Sequence, residues 1–319
     1  MKERKKFSIV VPIYYNELNI PHTIPRLQAL QRVLPDYDFE YIFVDDGSQD
    51  KSLQLLLEAR KSDSRVKVVK LSKNNGSMAA VQAGLTVAHG DCVGIISADL
   101  QDPPELFLDM LQQWESGKKV VLAVRSDRDE SWGQKLFSNT YYKLMDRFAI
   151  PGYPKGGFDF VLLDHQVVYE LNQIKEKNTN IMSLIFWLGH DRAMVDYVRA
   201  KREYGVSRWT LGKKVKLFID SFVSFSYMPI RVMSMVGVCF ALLGFFYGLF
   251  VMLNRLIFGV SVAGWSAIIV LLSFGLGIIM LMLGIIGEYL WRILDETRNR
   301  PPYIIDEIYG DEMERPKNN

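Results

Sequence analysis

The sequence predicts an α/β domain built on a doubly wound parallel sheet, followed by an amphipathic helix and a two-helix membrane hairpin. Three observations carry this. Short apolar runs alternate with helix-length segments through roughly the first two-thirds of the 319 residues, as in β-α-β units. Each run ends in a polar or glycine-bearing loop, and open α/β sheets bind ligands in the crevice beyond the carboxyl ends of their strands. Val232 to Leu253 and Leu256 to Gly287 carry no charge, and at ~1.5 Å per residue each is long enough to cross a hydrocarbon core of ~30 Å. The boundaries are a domain at 1–209, a juxtamembrane helix at 210–228, two spans within 229–291 and a tail at 292–319.

Taken in order, Phe7 to Ile13 reads as the first buried strand, and Tyr15-Asn16-Glu17 turns into a helix running towards Leu34. Phe39 to Val44 is the second strand and stops at Asp45-Asp46-Gly47-Ser48. Val66 to Leu71 is the third, leading through Asn74-Asn75-Gly76-Ser77 into a helix to about Ala88. The fourth, Cys92 to Ile96, opens into Ser97-Ala98-Asp99-Leu100-Gln101-Asp102-Pro103-Pro104. There Asp102 stands where a helix N-cap would, and Pro103 takes the first helical position, where its missing N–H costs nothing. A strand from Lys119 to Val124, a helix from about Trp132 to Phe148, a return to the sheet at Gly156-Gly157-Phe158-Asp159-Phe160 and a last strand from Asp191 to Val198 complete the domain.

Four loops, far apart in sequence, then line one crevice: Pro12 to Glu17, Asp45 to Ser48, Asn75 to Ser77 and Ser97 to Gln101. A nucleotide fits there, with carboxylates for the base or ribose hydroxyls and with backbone amides and a metal for the diphosphate. Asp99 and Gln101 are oxygen ligands two residues apart on a short loop, so they can share one Mg²⁺ or Mn²⁺ whose shell is completed by water and substrate phosphates. No G-x-G-x-x-G follows the first strand and there is no Walker A lysine loop, which disfavours dinucleotide oxidoreductases and P-loop enzymes. Asp159 stands in an aromatic, glycine-flanked stretch; partial desolvation there would raise its pKa towards a general base's range.

A net charge of +2 argues against a nucleic-acid partner. The two cysteines, Cys92 in a strand and Cys239 in a span, form no disulfide or zinc framework, and the four histidines are scattered. Basic residues gather at the membrane: Lys213, Lys214, Lys216 and Arg231 precede the first span, Arg292, Arg298 and Arg300 follow the second, and Arg255 alone lies between. By the positive-inside rule the domain and both termini face the cytoplasm. From Thr210 to Tyr227 the apolar residues Leu211, Val215, Phe218, Phe222 and Phe225 share one helical face, opposite Lys213, Lys216 and Asp220, the pattern of a helix lying in the membrane interface. Spans without ionisable residues read as anchors rather than a transport path.

The motifs Val11-Pro12-Ile13-Tyr14-Tyr15-Asn16-Glu17, Val44-Asp45-Asp46-Gly47-Ser48 and Ala98-Asp99-Leu100-Gln101-Asp102-Pro103-Pro104 resemble those of inverting family-2 glycosyltransferases of GT-A (Rossmann-like) fold. With the hairpin included, the resemblance is to the polyprenyl-phosphate glycosyltransferases and covers nearly the whole chain. It implies a nucleotide-sugar site at Pro12, Tyr14, Glu17, Asp45, Asp46, Asn75, Gly76, Ser97, Ala98, Asp99 and Gln101, with Asp99 and Gln101 on the metal. It also implies catalytic roles for Asp99 and for Asp159 beside the acceptor, and an acceptor-phosphate site at Arg125, Arg128, Lys135 and Ser138. Arg202, before Gly205-Val206-Ser207, would close over the phosphates, where a guanidinium fork can bridge two oxygens. The family's metal motif usually begins with Asp where this chain has Ser97.

The implied activity is inverting transfer of a hexose, glucose first, from a UDP-sugar to undecaprenyl phosphate at the cytoplasmic membrane face, by a homo-oligomer. Two other readings stand beside it. A processive polysaccharide synthase needs a translocation channel, for which two spans are too few, and Val206-Ser207-Arg208-Trp209 departs from the Gln-rich motif of such enzymes. A non-catalytic membrane scaffold that binds nucleotide sugar draws some weight from Ser97.

Overall fold

The computed structural model describes residues 4–127, 142–154, 158–174, 176–177, 179–200, 212, 223–226, 228–258 and 264–310. The chain forms two compact units, 1–221 with 301–319 and 222–300.

The first unit is built on an eight-stranded sheet. Its strands are β1 (Lys5–Ile13), β2 (Tyr37–Asp45), β3 (Val66–Leu71), β4 (Cys92–Ile95), β5 (Val120–Asp127), β6 (Phe160–Asp164), β7 (Arg192–Val198) and β8 (Ile305–Tyr309), in the spatial order β7-β5-β6-β4-β1-β2-β3-β8. β1 pairs in parallel with β2 and β4, β2 with β3, and β5 with β7. The sheet is nevertheless mixed, because β6 runs antiparallel to β4 and β5, and β8 antiparallel to β3. This corrects the expectation of an all-parallel sheet. An apolar run reads the same whichever way its neighbour points, so composition carries no direction. β8 falls inside the segment expected to be a tail: Ile-Asp-Glu-Ile-Tyr is short and half polar, and it becomes a strand because β3 offers it an open edge.

The helices are α1 (Ile20–Val33), α2 (Ser52–Ser62), α3 (Ser77–Thr86), α4 (Phe107–Glu115), α5 (His165–Gln173) and α6 (Ile181–Trp187). α1 buries Ile20, Thr23, Ile24, Leu27 and Leu30, one stripe at helical spacing. α5 and α6, which no sequence signal singled out, start on Asp164 and Asn180, whose side chains accept from the N–H groups of Gln166 and Met182 at 2.9 and 3.0 Å. Phe107 of α4 lies edge-on between Phe7 and Phe160, at centroid distances of 5.0 and 4.7 Å. It rests directly on the β4 backbone at Gly94, where a Cβ would come 2.3 Å from the ring, so glycine is required there. Asp102 does not cap a helix. The chain passes through an extended Pro103 and a 3₁₀ turn at Pro104–Leu106 before α4, and the Asp102 side chain turns inward and is fully buried.

The second unit holds α7 (Met228–Phe258) and α8 (Trp265–Thr297), 31 and 33 residues long. Both are long and apolar enough to cross a membrane. Their outward side chains, such as Leu243 at 69% and Met280 at 67% exposure, are apolar surface that suits lipid rather than water. Gly275 of α8 faces the Phe240 ring of α7, so the space it leaves serves the pairing of these two helices. The interfacial helix expected at 210–228 lies mostly outside the described residues.

Candidate active site

β1 has β2 on one side and β4 on the other, and the chain visits these sides in turn, so the order reverses beside β1. Carboxyl ends at such a switch point diverge and open a crevice. The loop after β1 is tied to the loop after β2: Tyr15 N donates to Ser48 Oγ at 3.0 Å and Asn16 N to Ser52 Oγ at 2.8 Å. Pro12, one residue before the end of β1, lies opposite Val44, and the Tyr14 and Tyr15 rings meet edge to face at 4.7 Å. Tyr15 has φ 55, a left-handed conformation that a non-glycine residue adopts only where its surroundings hold it. Glu17 accepts from Lys51 N at 3.1 Å, which places its carboxylate at the start of α2.

Asp45 and Asp46 end β2 and are both buried. Asp46 accepts the N–H groups of Asn75 and Gly76 at 2.7 and 2.8 Å. Its carboxylate therefore shapes the loop before α3. Gly47 makes this approach possible: it has φ 70, and a Cβ would lie 2.8 Å from the backbone of Lys73 and Asn74. Burial pushes the Asp45 and Asp46 carboxyls up, while hydrogen bonds from Ser48 to Asp45, and from Asn75 and Gly76 to Asp46, pull them back part of the way. Asp45 Oδ1 is buried with no hydrogen-bond partner among the described residues.

The loop after β4 forms the other wall. Ala98 O accepts from Thr23 Oγ1 of α1 at 2.7 Å, and Leu100 takes φ 55. Asp99 Oδ1 lies 2.8 Å from Ser97 Oγ and accepts from Gln101 N at 3.3 Å. Gln101 is bound to Ala200 twice, its Nε2 donating to Ala200 O at 3.2 Å and its carbonyl accepting from Ala200 N at 2.9 Å. The loop is thereby fastened to the segment that leaves β7. Asp102 accepts from Ser97 Oγ at 3.0 Å and from the Tyr197 hydroxyl, and Arg199 Nε is 3.3 Å away.

Arg125 and Tyr197 are register partners in β5 and β7, and Arg125 Nε donates to the Tyr197 hydroxyl at 3.3 Å. The Arg125 guanidinium is ion-paired with Asp159. Burial alone would disfavour the charge on Arg125, but Asp159, Tyr197 and Asp102 outweigh it and hold its pKa above the ordinary value. Burial, and then the charge of Asp102, push the Tyr197 phenol up. The desolvation expected at Asp159 is not found: its side chain is 53% exposed, because the carboxylate turns out to Arg125 rather than in among the aromatic rings.

The structure thus brings together Asp99, Gln101 and Ser97 on one loop, Asp45 and Asp46 beside Asn75 and Gly76, and Arg125 against Asp159. Arg128, Lys135, Ser138 and Arg202 lie outside the described residues. Among the described residues no group of three or more His, Cys, Asp or Glu side chains could hold a metal ion. Tyr197 and the inward Asp102 were missed from sequence; the one available signal was the position of Tyr197 at the carboxyl end of a strand, on the ligand edge of the sheet.

Fold and crevice together define an α/β protein of GT-A type with an acidic crevice at the switch point of its sheet. The chain belongs to glycosyl transferase family 2, whose family model matches residues 8–171. It is 38% identical over 316 residues to the uncharacterized glycosyltransferase YkcC of Bacillus subtilis (strain 168), with 99% of this chain and 98% of that one covered. It is 34% identical over 301 residues to the SfII prophage-derived bactoprenol glucosyl transferase of Shigella flexneri, covering 94% and 97% of the two chains. Among solved structures, mannosyl-3-phosphoglycerate synthase from Rubrobacter xylanophilus superimposes with a TM-score of 0.50 at 18% identity, over 73% of this chain and 75% of that one, a likeness of fold alone. The protein is a membrane-associated glycosyltransferase.

Proposed function

We propose that this protein transfers a hexose, glucose first, from a UDP-sugar to undecaprenyl phosphate at the cytoplasmic face of the membrane, with inversion. The observation that carries the reading is the near full-length similarity to bactoprenol glucosyl transferases, hairpin included, together with a crevice that sets Asp99 and Asp159 on loops of one sheet. A lipid phosphate cannot leave the bilayer, so the enzyme must carry a soluble nucleotide site to it. One acceptor phosphate oxygen attacks the sugar C1 from the face opposite the nucleoside diphosphate; the C1–O bond to the diphosphate breaks, and a phosphodiester forms. A phosphate monoester, with its second pKa near ~6, is largely dianionic at neutral pH and needs little help from a base. Exposed Asp159, paired with Arg125, is therefore better suited to orienting the acceptor than to taking its proton. Asp45 offers its unmatched oxygen to an N–H of the base.

The donor set suits Mg²⁺ or Mn²⁺. Asp99 and Gln101 present hard oxygens, and Ser97 in place of a third oxygen anion leaves much of the shell to water and diphosphate. A divalent cation bound there would neutralise charge on the leaving diphosphate. Orientation towards the cytoplasm draws support from the basic residues Arg231, Arg292, Arg298 and Arg300 beside the span ends, and β8 requires the two ends to lie on one side. The chain leaves the first unit for the two apolar helices and returns to pair with β3, so a hairpin that crosses twice keeps both its ends on the side of the sheet. A homo-oligomer is part of the same proposal.

The experiment supplies labelled UDP-glucose, UDP-N-acetylglucosamine or GDP-mannose to the purified protein in membranes, with undecaprenyl phosphate and either Mg²⁺ or EDTA. Label in the organic phase from one donor, lost with EDTA, establishes reaction, donor and metal together. Nucleotide binding without lipid-borne label from any donor would move the assignment to a scaffold, and a long polymer to a processive synthase.

A further inference from the structure

Asp102 is a fully buried carboxylate with no part in the reaction as proposed; Arg199 Nε lies 3.3 Å from it, and its other two neighbours each touch a residue that has such a part. On one side Ser97 Oγ lies 3.0 Å from Asp102 Oδ2 and 2.8 Å from Asp99 Oδ1. On the other, Asp102 Oδ1 accepts from the Tyr197 hydroxyl, which accepts from Arg125 Nε at 3.3 Å, and Arg125 is paired with Asp159. The links Asp99–Ser97–Asp102–Tyr197–Arg125–Asp159 are unbroken.

The chemistry of these groups gives the chain a direction. A guanidinium only donates, so the Tyr197 oxygen accepts from Arg125 and its single proton goes to Asp102. Ser97 also has a single proton, but it faces two carboxylates and can serve only one at a time. With Asp99 engaged by a divalent cation, its carboxylate would be the poorer acceptor and the Ser97 proton would turn to Asp102. Asp102 then holds the Tyr197 proton less strongly, and Tyr197 in turn holds Arg125 differently. Aspartate at position 97 would have no proton to share and would break this link.

We infer that Tyr197, acting through Asp102, is a positioning residue that couples the donor loop at Asp99 to the acceptor pair Arg125–Asp159. A two-substrate transferase gains from such a link, because the acceptor is aligned only when the donor is in place. The inference rests on the transfer reading for the roles of Asp99 and Asp159. If the network only satisfied a buried carboxylate, changes at its two ends would act independently.

The test uses the full chain in lipid nanodiscs, with Ser97→Ala and Asp159→Asn alone and together, in the wild-type and Tyr197→Phe backgrounds. Mn²⁺ affinity in the presence of UDP, read from the electron paramagnetic resonance signal of free Mn²⁺, needs no turnover; kcat/KM for transfer is measured in parallel. Separate sites combine within about twofold. The inference requires the pair to depart from additivity by about fivefold or more in Mn²⁺ affinity, and in kcat/KM wherever transfer occurs, and the departure to vanish with Tyr197→Phe. Asp102→Asn, which keeps an acceptor for Tyr197 but ends the competition for the Ser97 proton, takes its place if Tyr197→Phe does not fold. Additivity in the wild-type background overturns the inference, and so does coupling that survives loss of the Tyr197 hydroxyl. Absence of transfer with the Mn²⁺ coupling intact would instead remove the proposed function and leave the coupling standing.

Discussion

The two ends of the central sheet bury carboxylates for opposite ends. At the amino end Glu40 of β2, in register with Ser8 of β1, accepts from the Ser8 hydroxyl and from His89 N at 3.0 Å, with Lys67 Nζ at 2.9 Å and Lys6 Nζ at 3.0 Å. Burial would raise its pKa, but these partners more than offset that and bring it down to about 2. At the carboxyl end Asp45 and Asp46, on the same β2, are pushed up by burial, and their hydrogen bonds come from neutral groups of Ser48, Asn75 and Gly76. At one end two ammonium groups match the carboxylate's charge. The other keeps charge that its own neighbours do not fully satisfy, which is the condition a ligand with N–H or O–H donors can relieve. The comparison separates, within a single strand, a buried carboxylate matched by cations from two that are not.

The sharpest way to break this contrast is Asp99→Ala. It should lower kcat by about a thousandfold or more if the loop carries the leaving-group charge, with the melting temperature close to that of the wild type; near-normal turnover would sink the metal-loop assignment. Glu40→Ala should do the reverse. Removing one partner from a buried ion cluster costs about 3 kcal/mol, seen in denaturant unfolding, while the donor KM stays put; a raised KM would erase the distinction between the two ends.

The acid limb of stability sharpens the same point. The Glu40 pKa lies near 2 in the folded chain against an ordinary 4.5, so its contribution is complete above about pH 4.5 and is lost as the pH falls towards 2. That loss amounts to roughly 3 kcal/mol, and Glu40→Gln should flatten the limb by this amount in acid titrations followed by circular dichroism. The smallest effect is expected for Asp46→Asn. An amide can accept from only one of the Asn75 and Gly76 N–H groups without turning its own NH₂ towards the other, so the loop before α3 loosens. Donor KM should rise about tenfold with kcat little changed, a split that steady-state kinetics will resolve.

Much of the site was legible because its loops follow directly on apolar runs. Asp45-Asp46-Gly47-Ser48 and Ser97 to Gln101 sit where a strand must end, and the ligand edge of an α/β sheet lies beyond the carboxyl ends of its strands. What could not be read there was the direction in which a polar side chain turns. Asp102 has the spacing of an N-cap, and the structure buries it against Tyr197. Asp159 has the flanks of a desolvated base, and the structure exposes it to Arg125. Asp46 looks like a ligand contact, and the structure uses it to hold Asn75 and Gly76.

By itself, then, the sequence determined the β-α alternation, the apolar hairpin and the loops that meet at the switch point, because these depend on periodicity, hydropathy and turn chemistry within a few residues. The direction of β6 and β8, the charged cluster around Glu40 and the line from Asp99 through Tyr197 to Asp159 were decided only by the tertiary structure. Each depends on which strand lies beside which, and residues 95 positions apart, such as Asp102 and Tyr197, acquire a hydrogen bond only once the sheet has brought their segments together.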